Sequence, residues 1–166
     1  MRFERAVRGV PQAVPPIWLM RQAGRYHRHY QHLRKRYSFE DICRRAEVAA
    51  EAALGPIRDF DFDAAIVFSD LLFPLEALGL GLSYADGPPR LDGPLTAARV
   101  AQFRETDKAL ERLGFQGEAV AATRALLPRD KALLGFVGGP WTLFVYAVEG
   151  SHQGALVGAK SSPQLY

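Results

Sequence analysis

Hydrophobic positions along this chain alternate between two rhythms. Short continuous apolar runs suit buried parallel strands, and apolar residues recurring every three to four positions suit helices packed on them. The first run, Ile17-Trp18-Leu19-Met20, follows Pro15-Pro16, which bias the chain toward extended backbone, and predicts a first strand with Arg21 at its carboxyl end. Ser38-Phe39-Glu40-Asp41 reads as a helix start. Ser38 can cap free amides, Glu40 and Asp41 complement the dipole, and Ile42, Ala46, Ala49, Ala50 and Ala53 recur at helical spacing before Gly55-Pro56 weakens the pattern. Ala64-Ala65-Ile66-Val67-Phe68 predicts a second strand, ending in Ser69-Asp70, and Ala132 to Val137 a third. The turn Gly138-Gly139-Pro140 and a helix from Trp141 to Val148 follow the third strand. Between the second and third strands lie a helix-like Leu71 to Leu78, a loop rich in Gly and Pro from Gly79 to Pro94, and helical periodicity from Ala97 to Leu127.

This order argues for an α/β fold with parallel strands, uninterrupted by internal repeats or low-complexity tracts. Each predicted strand ends in chemistry: Arg21 and Arg25 after the first, Asp70 after the second, Gly138 to Thr142 after the third. In β/α folds ligand groups gather at the carboxyl ends of strands, so these residues are expected at one mouth.

Composition narrows the class. Hydrophobic residues make up 48% and charged residues 23%, and no apolar run approaches the roughly 20 residues of a membrane span. Met1-Arg2-Phe3-Glu4-Arg5 lacks the apolar stretch of a secretory signal, and the single cysteine, Cys43, excludes an intrachain disulfide. A cytoplasmic protein without membrane contact is expected. Cys43 reads as a small half-buried hydrophobe in a helix. The net charge of +3 is uneven, because every charged residue between Arg21 and Arg36 is basic. Nucleic acid would satisfy such a field, with Tyr26, Tyr30 and Tyr37 available for stacking, but no nucleic-acid motif accompanies the patch. Arg28, Arg34, Lys35 and Arg36 therefore read as a solvated basic helix face. His27, His29 and His32 do not share one helical face and read as surface residues rather than metal ligands, while His152 has no motif around it.

The densest signal is Met20-Arg21-Gln22-Ala23-Gly24-Arg25-Tyr26. It presents two arginines, four residues apart, beside a glycine that permits close backbone approach, an arrangement suited to a ligand with several carboxylates. The competing reading puts Arg21 and Arg25 on one face of a solvated helix. Asp70 stands where an apolar strand gives out, and a carboxylate there needs a donor. Locally it can cap the next helix through the Leu71 and Leu72 amides, and functionally it can accept from N–H groups of a ligand.

The wording of the Arg21 segment resembles the N-terminal signature of the uroporphyrinogen decarboxylase family. Ala64 to Asp70 is similar to that family's second strand, and Gly135-Phe136-Val137-Gly138-Gly139-Pro140-Trp141-Thr142-Leu143 to its third strand and turn, with Tyr146 on the family's pocket tyrosine. The likeness implies an α/β fold of the (β/α)8 barrel type, here with about three βα units, so that residues 1–166 form the N-terminal part of a single barrel domain. It implies loss of CO₂ from the four acetate side chains of uroporphyrinogen, giving coproporphyrinogen, with no metal or organic cofactor. By the same resemblance Asp70, Arg21 and Tyr146 carry the chemistry, and Arg21, Gln22, Ala23, Gly24, Arg25, Phe68, Ser69, Asp70 and Tyr146 bind the substrate. A homodimer is implied for the complete enzyme.

A closed barrel needs about 250 residues and this chain has 166, so it is expected to be truncated and marginally stable alone. Two other readings stay open. One is a non-catalytic fragment or partner subunit, and the other a zinc-dependent corrinoid or thiol methyltransferase of the same superfamily.

Overall fold

The computed structural model describes residues 1–84, 88–150, 154–162 and 164. His152 and Pro163 lie outside them. The chain packs as two compact units, one of Met1–Ser69 with Phe115–Phe136, the other of Asp70–Gly114 with Val137–Tyr166.

The first unit holds α1 (Arg2–Val7), α2 (Arg28–Arg36), α3 (Phe39–Arg44), α4 (Ala46–Phe60), β1 (Ala64–Ile66), α8 (Gly114–Leu126) from its second residue, and β4 (Ala132–Leu134). Strands β1 and β4 pair in parallel, Ala64 opposite Ala132 and Ile66 opposite Leu134. Leu54, Ile57, Ala65 and Leu127 form a buried cluster on this pair, with Phe62 and Leu133 packed against it.

The expected first strand is absent. Ile17 to Met20 makes one backbone bond to the chain before β1, from Asp63 N to Ile17 O at 2.9 Å, and pairing goes no further because side chains take its amides: Asp63 Oδ2 accepts from Ile17 N at 2.9 Å and Gln22 Oε1 from Leu19 N at 3.1 Å. A backbone ladder cannot form where those donors are spent. The helix after Ser38 is present but divided. Ser38 and Asp41 form a reciprocal capping box on α3, then Arg45 breaks the helix at φ −96°, ψ 110° before α4 begins. Helix α4 runs through Gly55-Pro56 to Phe60, where the pattern weakened, since Val48 to Ile57 is buried almost throughout and that packing outweighs one lost helical hydrogen bond. Cys43 is fully buried in α3.

Removing the Ser38 cap should lower Tm by about 2–4 °C in Ser38→Ala. The hydrogen bonds from Ser38 hold the Asp41 carboxyl below its ordinary value, so this stability is present at neutral pH and is lost as pH falls through that depressed value. The gap between wild type and Ser38→Ala should therefore narrow in acid without closing, because Ser38 Oγ still accepts from the Asp41 amide there, and thermal melts from pH 7 to pH 2 would read it.

The second unit comprises α5 (Phe73–Leu78), β2 (Leu82–Ser83), β3 (Arg90–Leu91), α6 (Ala97–Val100), α7 (Thr106–Glu111), α9 (Pro140–Glu149) and α10 (Val157–Ser161). The loop expected from Gly79 to Pro94 contains an antiparallel pair, Leu82 opposite Leu91 and Ser83 opposite Arg90. The helical stretch expected from Ala97 to Leu127 is three helices. One break spans residues 101–105, within which Arg104 donates from its backbone amide to Leu78 O and from its guanidinium to Glu76 O and Ala77 O, capping α5. Leu72, Leu75, Leu80, Leu95, Phe144, Val145, Ala147 and Ala159 make this unit's core.

Candidate functional site

Arg21 to Tyr26 is neither helix nor strand but a chain of turns, so the reading of two arginines on one helical face does not hold. Gln22 N donates to Leu19 O at 3.0 Å and His27 N to Gly24 O at 2.9 Å. Arg21 sits at φ 61°, a left-handed backbone that costs a non-glycine residue about 1 kcal/mol. A Cβ on Gly24 would lie 2.7 Å from Arg21 O, so this glycine is required by the chain's own close approach. Both arginine side chains are exposed and have no carboxylate partner among the described residues.

Gln22 supports this turn from below. It is 1% exposed, and besides holding Leu19 N it donates from Nε2 to Ala64 O at 2.9 Å. Asp63 O and Val67 N bond to β4, and alternate residues of a strand face opposite edges, so Ala64 O points to the other side of β1. There Gln22 does what a third strand would do. Both the oxygen and the nitrogen of its amide are engaged within the protein, while Ala23 and Gly24 are half-buried in the turn. Tyr26 closes the turn, its hydroxyl donating to Gln22 O at 2.7 Å.

Phe68 is buried, its ring 5.5 Å from Tyr30 and 5.8 Å from Phe39 between centroids, and it packs the end of β1 onto α2 and α3. Burial pushes the Tyr30 hydroxyl pKa up, while Arg34 and Arg25 pull it down. Ser69, half-buried, accepts a hydrogen bond from Gln116 Nε2 at 3.0 Å. Nothing in the local spelling of α8 marked Gln116, since the contact spans 47 positions of the chain and exists only once α8 lies beside the end of β1.

In the second unit Asp70 accepts from Leu72 N at 2.8 Å through Oδ1, realising half of the expected helix cap. Burial raises its carboxyl pKa, and hydrogen bonds from the Leu72 amide and the Tyr84 hydroxyl oppose that rise without cancelling it. A carboxylate held partly out of water has a strong demand for further donors. Tyr146 is half-buried on α9 against the unit's core. The turn before α9 is tight, because a Cβ on Gly138 would meet Leu143 Cδ2 at 2.5 Å and Leu71 O at 3.2 Å.

The histidines depart from expectation. His27 is 4% exposed rather than at the surface, and its Nε2 lies 2.6 Å from Asp59 Oδ2. His29 packs beside it over Gly55, where a Cβ would approach the His29 ring to 2.5 Å. Among the described residues no three His, Cys, Asp or Glu side chains are grouped to hold a metal ion, and no helix is long and apolar enough to cross a membrane.

Parallel strands that hand on to chemistry-bearing loops and then to helices define the β/α class of scaffold, in which ligand groups stand at the strands' carboxyl ends. A family profile for uroporphyrinogen decarboxylase (URO-D) matches residues 1–161. The chain belongs to the uroporphyrinogen decarboxylase family. It is 40% identical over 149 residues to a uroporphyrinogen decarboxylase of Myxococcus xanthus, covering 90% of this chain and 43% of that protein. Proteins of the same name from Drosophila virilis and Thermodesulfovibrio yellowstonii are each 40% identical over 95% of this chain, which covers 41% and 46% of them. The chain thus spans less than half the length of these curated relatives.

Proposed function

We propose that this chain is the N-terminal part of a (β/α)8-barrel decarboxylase that removes CO₂ from the acetate side chains of uroporphyrinogen. The observation that carries this reading is the pairing of functions at the loops. Among the described residues, exposed Arg21 and Arg25 have no carboxylate partner, on a turn built for close packing, and Asp70 is a half-buried acceptor whose carboxyl pKa burial raises in spite of the groups that donate to it. The first pair suits a polycarboxylate and the second suits pyrrole N–H groups.

The chemistry comes from the substrate. Protonation at a pyrrole carbon makes the ring an electron sink, the C–CO₂⁻ bond breaks with its electron pair entering the ring, and the resulting exocyclic alkene is protonated to a methyl group while the ring carbon gives up the proton it had gained, so that one proton is consumed for each CO₂ released. Asp70 holds the macrocycle by its N–H groups and stabilises the cation as it forms, where the interaction accelerates the step. Arg21 grips the reacting acetate, Arg25 binds a carboxylate that does not react, and Tyr146 hydrogen-bonds at the reacting end. Gln22, Ala23, Gly24 and Phe68 shape the site by holding the arginine turn and the end of β1. No cofactor enters this scheme, the partner is a small molecule, and the complete enzyme is a cytoplasmic homodimer.

Anaerobic incubation with uroporphyrinogen, with and without a separately expressed C-terminal half of a relative, tests the reading. The expected result is loss of carboxyl groups only when the second half is present. No turnover in either arm, together with binding to intact relatives, would favour a partner subunit instead.

A further inference from the structure

Ser69 is the last residue before Asp70, and its hydroxyl carries one proton and two lone pairs. Gln116 Nε2 donates to one lone pair at 3.0 Å. Among the described residues no carbonyl or carboxylate accepts the Ser69 proton. An amide N–H bound to the oxygen turns the hydroxyl proton away from itself, so the half-buried serine is a donor that no protein group among the described residues takes up and that can turn to solvent or to a ligand.

We propose that Gln116 is a positioning residue that presents the Ser69 O–H to a carboxylate of the bound tetrapyrrole. This rests on the decarboxylase reading and adds a specificity device to it. Ser69 and Gln116 both belong to the first unit, and a hydroxyl held in this way suits the acidic rim of such a ligand. A donor aimed at an acetate favours that acetate over the methyl group that replaces it, so the serine discriminates substrate from product. A ligand carboxylate makes this bond charge-assisted.

The test is fluorescence titration with uroporphyrin and coproporphyrin, which differ by the four acetates, using the chain alone and with the complementing C-terminal half. Ser69→Ala should weaken uroporphyrin binding about tenfold, the loss of one hydrogen bond to a charged acceptor, and leave coproporphyrin binding unchanged. Gln116→Leu should do the same. Gln116→Glu should match Ser69→Ala at pH 8, because a carboxylate there accepts the serine proton and withdraws it from the ligand. The double variant Ser69→Ala/Gln116→Leu should bind no more weakly than either single one, since both act through one bond.

A Gln116→Leu variant with lowered Tm and an unchanged uroporphyrin-to-coproporphyrin ratio would overturn the proposal and leave Gln116 as a strap between α8 and β1. Wild-type protein that binds neither porphyrin in either arm would overturn the role of Ser69, whereas failure of the complemented chain to decarboxylate uroporphyrinogen would overturn the reading on which it rests.

Discussion

Gln22→Leu is expected to destabilise the first unit by about 2–3 kcal/mol, because it strands two main-chain groups while keeping the buried volume. Ala64 O faces the edge of β1 away from β4 in a fully buried residue, and Gln22 Nε2 is the donor that reaches it. Leu19 N would lose its acceptor as well. Urea denaturation should show a lower midpoint with an unchanged slope, and Tm should fall by roughly 5–10 °C. Gln22→Glu separates the two contributions, since it keeps an acceptor for Leu19 N and loses the donor to Ala64 O. A loss below about 0.5 kcal/mol in Gln22→Leu, the ordinary range for surface substitutions, would show that water or a neighbouring group replaces the amide. Gln22 also links the arginine turn to β1. The leucine variant should therefore bind uroporphyrin more weakly even at temperatures where it remains folded.

Asp70→Asn should move activity and stability in opposite directions. On the proposed mechanism it removes from the assembled enzyme the anion assigned to the pyrrole cation, and kcat should fall on the order of 10²- to 10³-fold, as when a preorganised electrostatic partner is lost. Stability should rise at neutral pH. Burial places the folded-state carboxyl pKa above its ordinary value of 3.8, so the stability that goes with the protonated form is fully present below that value and is lost as pH rises through the folded one. Asparagine carries no such charge and still offers an oxygen to the Leu72 amide. The variant's advantage in melting temperature should therefore be absent near pH 3, grow through the acid range and level off toward neutrality. An Asp70→Asn variant that is less stable than wild type at pH 7 would show that the Leu72 and Tyr84 hydrogen bonds outweigh the cost of burial. That trade of stability for function is expected of a residue placed for chemistry.

Local sequence determined much of this protein. The Ser38 cap, the parallel runs at Ala64 and Ala132 and the helix after Pro140 all lie where apolar rhythm, turn chemistry and capping residues place them, because these signals act over a few residues. The motifs that tie the chain to its family are likewise contiguous words, readable without coordinates. Tertiary structure decided what depends on partners distant in sequence. Ile17 to Met20 has strand-like composition but no ladder, since Asp63 and Gln22 take its amides. Gln22 reads as a ligand group and is a buried brace, because its two partners face one edge of β1. His27 reads as a surface residue and is buried against Asp59, 32 positions away. Gln116 carries no local mark and meets Ser69 only across the fold. A hydrogen bond needs its partners within about 3 Å whatever their separation along the chain, and packing alone settles which distant groups meet.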